Sequence, residues 1–190
     1  MSQKNLTTVS KQRWHHRRLN AKRIFNSSLG SLLGIGAIAY LSTITGQWFL
    51  IPPLGASCFI AFVIPDSAFA QPRNIIGGHL LSSIIGIIFS TVLGAQWWAF
   101  ALAVSVAIAA MQIVKLLHPP AAADPILLMM QGTVPWDTLL ALVLGGSIML
   151  TVIATLFNKL ITYKYYRIVT LFIAKAYSDN AKRFGLAYKL

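Results

Sequence analysis

Three side chains that can exchange a proton or carry charge stand inside apolar runs: His79, His118 and Asp124. A hydroxyl, Ser57, stands in another such run. An acid in an apolar stretch is expensive, so Asp124 should be paired or functional. Its expected partners are Lys115, His118 or Arg73; otherwise it takes up a proton, or caps a helix before Pro125. A histidine ordinarily gains or loses a proton near neutrality, so His118 could hold an anion or accompany one with a proton, while the plainer reading is a helix-end histidine bonded to a carbonyl. His79 reads equally well as a packing histidine and as a pathway residue. Arg73 suits an entrance, where it draws anions or pairs with Asp66. His79, Asp124, Arg73 and Lys115 are thus the candidate proton or charge relay.

Catalytic sets are harder to find. There is no pair of carboxylates, no phosphate-cradling glycine loop followed by Lys, and no nucleophile with an evident base. A membrane enzyme would have to use His118 and Asp124 as acid and base, and the chain reads as a non-enzyme. The four histidines (His15, His16, His79, His118) lack a ligand-spaced partner set, and the single Cys58 excludes an intrachain disulfide or a Cys-rich metal site. Neither metal nor cofactor is expected.

Binding chemistry has a better candidate in two proline pairs. Pro52-Pro53 leads into Leu54-Gly55-Ala56-Ser57, and His118-Pro119-Pro120 leads into Ala121-Ala122-Ala123-Asp124. A proline ends the helix before it and suits the first turn of the next. A helix that starts inside a membrane turns free N–H groups and a positive dipole end to the interior, a place for an anion. The candidate substrate-binding residues are therefore Pro52, Pro53, Gly55, Ala56 and Ser57 at the first break, and His118, Pro119, Pro120, Ala121 and Ala122 at the second. The plainer alternative is a pair of packing kinks.

The elements that must position these residues are membrane spans. The 190-residue chain is 56% hydrophobic with 11% charged residues, no Glu and four Asp, against about 25% charged in a soluble domain. Of sixteen Lys and Arg, seven lie in residues 1–23 and seven in 159–190, with Arg73 and Lys115 between. The +12 net charge flanks apolar segments, which fits the positive-inside rule and excludes a nucleic-acid partner. A basic cytoplasmic or interfacial segment (1–26) should precede a transmembrane domain (27–157), and a basic amphipathic tail (158–190) should follow it. A multi-pass protein with both termini cytoplasmic, in a bacterial inner membrane, is expected, with no cleaved signal peptide. Small residues recur every fourth position at Gly78, Ser82, Gly86, Ser90 and Gly94, a stripe for tight helix packing.

The two halves, about 27–94 and 97–157, match in layout. The proline pairs lie 67 residues apart, and Gly77-Gly78 and Gly145-Gly146 lie 68 apart. If the proline segments cross the membrane, six crossings put every basic residue on one side; four crossings put Arg73 outside. The expected fold is an all-α, polytopic membrane helix bundle, an inverted repeat of two three-segment halves with helices broken at the proline pairs. The residues 121–130 cover only about 15 Å as helix, half of a bilayer core. Two such breaks need cover, which favours a homo-oligomer.

The run Pro52-Pro53-Leu54-Gly55-Ala56-Ser57, with Pro65-Asp66-Ser67, Gln71-Pro72-Arg73-Asn74, Gly77-Gly78-His79 and His118-Pro119-Pro120-Ala121, resembles the HPP family of integral membrane proteins over about residues 27–157. Members are similar to chloroplast and cyanobacterial nitrite transporters. The resemblance implies transport of a small anion, nitrite first; an anion channel or a structural or regulatory membrane subunit is the alternative. Family members often carry Gly where this chain has Ala122, and the family is usually described with four spans.

Overall fold

A computed structural model describes residues 21–131 and 135–161. The basic segment before residue 21, residues 132–134 of the polar break, and the tail after residue 161 lie outside the described residues. The fold is an all-α, polytopic helix bundle, with no strand among the described residues. Its helices are α1 (Ala21–Thr45), α2 (Pro52–Val63), α3 (Pro72–Leu93), α4 (Trp97–Ile113), α5 (Asp124–Gln131) and α6 (Trp136–Leu160). The segments Ala21–Thr45, Pro72–Leu93 and Asp137–Leu160 are long and apolar enough to cross a bilayer, and α2 and α4 are shorter apolar helices.

Prolines set three helix starts, as their fixed φ and missing N–H allow. Pro52 opens α2, Pro72 opens α3, and Pro119 opens a short 3₁₀ stretch, Pro119–Ala123, that continues into α5. Helix α3 stops at Gly94, whose φ of +68° only glycine adopts without cost. Helix α4 ends less easily: Lys115 adopts φ +60°, and the Leu116 N–H reaches back 2.9 Å to the Met111 carbonyl.

The direction of each pass can be read from its contacts. The Leu50 N–H donates to Ser42 Oγ at 3.1 Å, while the Arg23 guanidinium donates to the Val63 carbonyl at 2.9 Å. The extended lead-in plus α2 therefore runs back along α1 from residue 42 to residue 23, a rise of roughly 28 Å on α1. In the second half, Met129 of α5 packs on Ala99 and Ala103 near the start of α4, so this segment too runs the length of the helix before it. The apparent shortage of length in residues 121–130 is made up by the 3₁₀ stretch and the extended residues ahead of it, which rise more per residue than an α-helix.

Each half embraces the other. Gly78 lies under His118 and Leu116, Ser82 under Ala121, and Gly86 under Pro125 and Leu128, so α3 runs parallel to 118–131. Gly145 and Gly146 lie under Phe49 and Leu54, and Asn158 donates to the Ala61 carbonyl at 3.1 Å, so α6 runs parallel to α2. The two glycine sites match closely: a Cβ at Gly78 would stand 3.2 Å from the Leu116 carbonyl oxygen, and one at Gly146 would stand 3.2 Å from that of Phe49. Gly30 and Gly34 of α1 make room for the Phe62 ring, which meets Phe157 edge-on at 5.6 Å.

These directions sort the polar residues by end. Lys22, Arg23, Arg73, Lys115 and Lys159, the described basic residues, sit at one end of the bundle with the start of α1 and the end of α6. Trp48 and Trp97, 76% and 83% exposed, sit at the other, where an aromatic belt meets the headgroups.

Candidate functional site

Between the halves lies a dry polar cluster. Ser57 of α2, His79 of α3, His118 and Asp124 are each 0% exposed. Ser57 Oγ stands 2.9 Å from His79 Nε2 and 2.7 Å from His118 Nε2, and His79 Nδ1 stands 2.7 Å from Asp124 Oδ2. The two imidazoles cross edge-on with centroids 5.1 Å apart. His118 Nδ1 donates to the Phe69 carbonyl at 2.8 Å, and Ser57 Oγ also lies 3.1 Å from the Pro53 carbonyl of its own helix.

Local sequence explains how each group is held. Ser67 Oγ accepts from the Phe69 N–H, and Asn74 Nδ2 donates to the Ala68 carbonyl at 2.7 Å, which folds the connection 64–71 so that the Phe69 carbonyl reaches His118. Ser82 donates to the Ala121 carbonyl at 2.6 Å and Ser83 lies 3.5 Å from Asp124 Oδ2. These two serines follow His79 by three and four positions, the spacing that stacks side chains on one helix face. Asp124 Oδ1 is buried with no hydrogen-bond partner among the described residues.

The expected residues separate into two groups. Ser57, His79, His118 and Asp124 come together, with Pro53, Pro120 and Ala121 buried around them. Pro52, Gly55, Ala56 and Pro119 are exposed on the outside of the bundle, and Ala122 is half-buried. Arg73 and Lys115 are exposed at the basic end. Asp124 is paired with His79, in place of the expected Lys115, His118 or Arg73, because α3 and 118–131 run side by side in parallel and bring these two positions level.

The expectation of free helix-start donors also changes. Two prolines in succession have no N–H to offer, and the next N–H is already used at each break: Leu54 donates to Ile51 O and Ala121 to His118 O. Nor do the two starts face one cavity. The first lies beside α6 at the aromatic end, over a cavity of about 550 Å³ lined by Gln47, Trp48, Pro52, Gln131 and Thr138 among others. The second lies against Gly78 and the Phe69 carbonyl, toward the basic end. The donors available to a ligand between the halves are therefore side-chain ones, the Ser57 hydroxyl and the imidazole nitrogens.

Buried polar groups on crossing helices, at the junction of two interleaved halves, define a polytopic membrane protein with an intramembrane polar site. Comparison with known sequences agrees. The chain matches the family described as HPP, transmembrane region, over residues 16–167, and it belongs to that family. It is 32% identical over 148 residues to one transmembrane protein of Dictyostelium discoideum and 32% identical over 160 residues to another, matches that cover 74% and 78% of this chain. It spans about half the length of both relatives, 52% and 51%. No solved structure matches.

Proposed function

We propose that this protein carries a small inorganic anion, nitrite first, across the membrane through the Ser57–His79–His118–Asp124 cluster. The observation that supports this reading most is the convergence of Ser57 and Asp124 on one imidazole. Each is the fifth residue after the first proline of its pair. Equivalent positions of two oppositely running halves thus meet at the junction, where inverted-repeat transporters hold substrate and coupling ion. Matching glycine seats at Gly78 and Gly146 favour the same inverted repeat. Nitrite is the anion suggested by the family's likeness to chloroplast and cyanobacterial nitrite transporters.

The path proceeds from the cavity beside Pro52, where Gln47, Gln131 and Thr138 offer neutral polar groups, to the cluster, and on past Phe69 to the basic end. With the cluster sealed in this conformation, alternating access fits better than an open pore. The basic end faces the cytoplasm by the positive-inside rule. Outward-facing Gly55 and Ala56 leave close-approach surface for a second copy, in keeping with a homo-oligomer.

One observation favours a second reading. Asp124–His79–Ser57 has the contact order of a hydrolase triad. Against it, the Ser57 hydroxyl is held by a second histidine and by the Pro53 carbonyl, and its own helix uses the neighbouring N–H groups that an oxyanion would need. Nitrite uptake by liposomes holding the purified full chain, compared with protein-free liposomes, tests the transport reading: equal uptake by the two refutes it.

A further inference from the structure

The contacts of the cluster constrain how many protons it holds. His118 Nδ1 faces a carbonyl, which only accepts, so that nitrogen carries a proton. Asp124 Oδ2 to His79 Nδ1, His79 Nε2 to Ser57 Oγ, and Ser57 Oγ to His118 Nε2 each need one more. Four contacts require four protons. Two neutral imidazoles, one hydroxyl and a carboxylate supply three. The Pro53 carbonyl, farther from Ser57 Oγ than either imidazole, shares the hydroxyl proton with the nearer His118 Nε2 and so adds no further proton to the count.

We infer that the Asp124–His79–Ser57–His118 chain is a proton-binding site holding one proton beyond that complement, and that each anion crosses with a second. The inference rests on the transport reading above. The extra proton cancels the Asp124 charge, leaving the cluster neutral where an uncompensated buried charge is strongly disfavoured. Among the described residues the other groups bonded to it are neutral: Ser83 of α3 on Asp124, the Phe69 carbonyl on His118 and the Pro53 carbonyl on Ser57. The nearby Ser82 and the buried Ser147 and Thr151 of α6 are neutral as well and bond backbone carbonyls. Arg73, Lys115 and Asp66 are exposed at the basic end.

A monovalent anion entering this site would make it negative. Neutrality returns when one proton from the entry side bonds to His118 Nε2; the Ser57 hydroxyl swings from that nitrogen to the anion, and the new N–H donates to it as well. On the exit side the anion leaves, the Nε2–H bond breaks to water, and Ser57 returns. One anion and one proton have crossed with no net charge. The alternative acceptor is Asp124 Oδ1, the buried oxygen without a donor among the described residues.

Two measurements on the full chain test this. In liposomes containing the protein and an internal pH dye, with voltage clamped by potassium and valinomycin, protein-dependent nitrite entry should bring one proton per nitrite and be unchanged by the imposed voltage, after subtraction of protein-free leak. Protein-dependent nitrite entry that carries current without protons overturns the coupling and leaves the transport reading standing; absence of protein-dependent entry removes the transport reading and, with it, the coupling. The proton count is read separately, by ¹⁵N-histidine NMR of the full chain in lipid nanodiscs, with signals assigned through His79→Gln and His118→Gln. At least one of the two Nε2 atoms should carry a proton at neutral pH, and two bare Nε2 atoms overturn the count.

Discussion

Ser57 and Asp124 take the two nitrogens of one imidazole, at 2.9 Å and 2.7 Å from His79 Nε2 and Nδ1. Ser57 follows Pro52 by five residues and Asp124 follows Pro119 by five. His79 is therefore the joint between the halves, and its loss should act on stability as well as on flux. His79→Ala leaves Asp124 buried without its partner, which costs about 3–5 kcal/mol when a buried pair is broken on one side. His79→Ala combined with Asp124→Ala should recover part of that loss. Unfolding in mixed detergent micelles reads both; a double variant no more stable than the single would contradict the pairing.

Glycine seats at matching positions give the second expectation. Gly78→Leu and Gly146→Leu each drive a side chain into the opposite proline segment, and overpacking of this kind costs about 1–3 kcal/mol. Gly36→Leu faces open space and should be tolerated. Thermal unfolding of the three variants is the check, and equal midpoints for Gly36→Leu and Gly78→Leu would contradict the interleaved packing.

Much of the helix layout is legible in the amino-acid sequence. Proline pairs marked helix starts, the stripe Gly78-Ser82-Gly86 marked a packing face, and an acid in an apolar run marked Asp124. What the sequence could not supply was registration between non-adjacent passes. Pairing His79 with Asp124 depends on α3 lying parallel to 118–131, whereas proximity along the chain pointed to Lys115 or His118. The expectation of free helix-start N–H groups failed for a local reason: successive prolines remove two donors and a tight turn uses the third. Ser83 was missed, although its place one turn after His79 could have raised it.

Lys115 offers a test of the turn that delivers His118. Its φ of +60° is a left-handed conformation that costs a non-glycine residue about 1–2 kcal/mol. Lys115→Gly should raise stability by about 1 kcal/mol, seen as a higher unfolding midpoint. A lower midpoint would mean that the lysine side chain contributes more than the backbone costs.

Crossing number has a direct readout. In a Cys58→Ala background, single cysteines at Gln96 and Asp66 should react with a membrane-impermeant maleimide from opposite sides of oriented vesicles. Labelling of both from one side would contradict a first half that crosses three times.

Ser57 is read as a hydrogen-bond donor to an anion, not as a nucleophile. A fluorophosphonate probe should leave it unmodified in the folded protein; a covalent adduct on Ser57 that is lost in Asp124→Asn would favour the hydrolase reading.

Uptake of labelled nitrite by liposomes holding the purified full chain, wild type beside Ser57→Ala, tests the central claim most directly. Ser57 links both histidines, yet its hydroxyl is one interhelical hydrogen-bonding group, worth about 0.6 kcal/mol on average within membranes, so the variant should fold. The account predicts protein-dependent uptake by the wild type and at least a tenfold loss in Ser57→Ala with its unfolding midpoint little changed. Uptake by Ser57→Ala at the wild-type rate would contradict passage through the cluster.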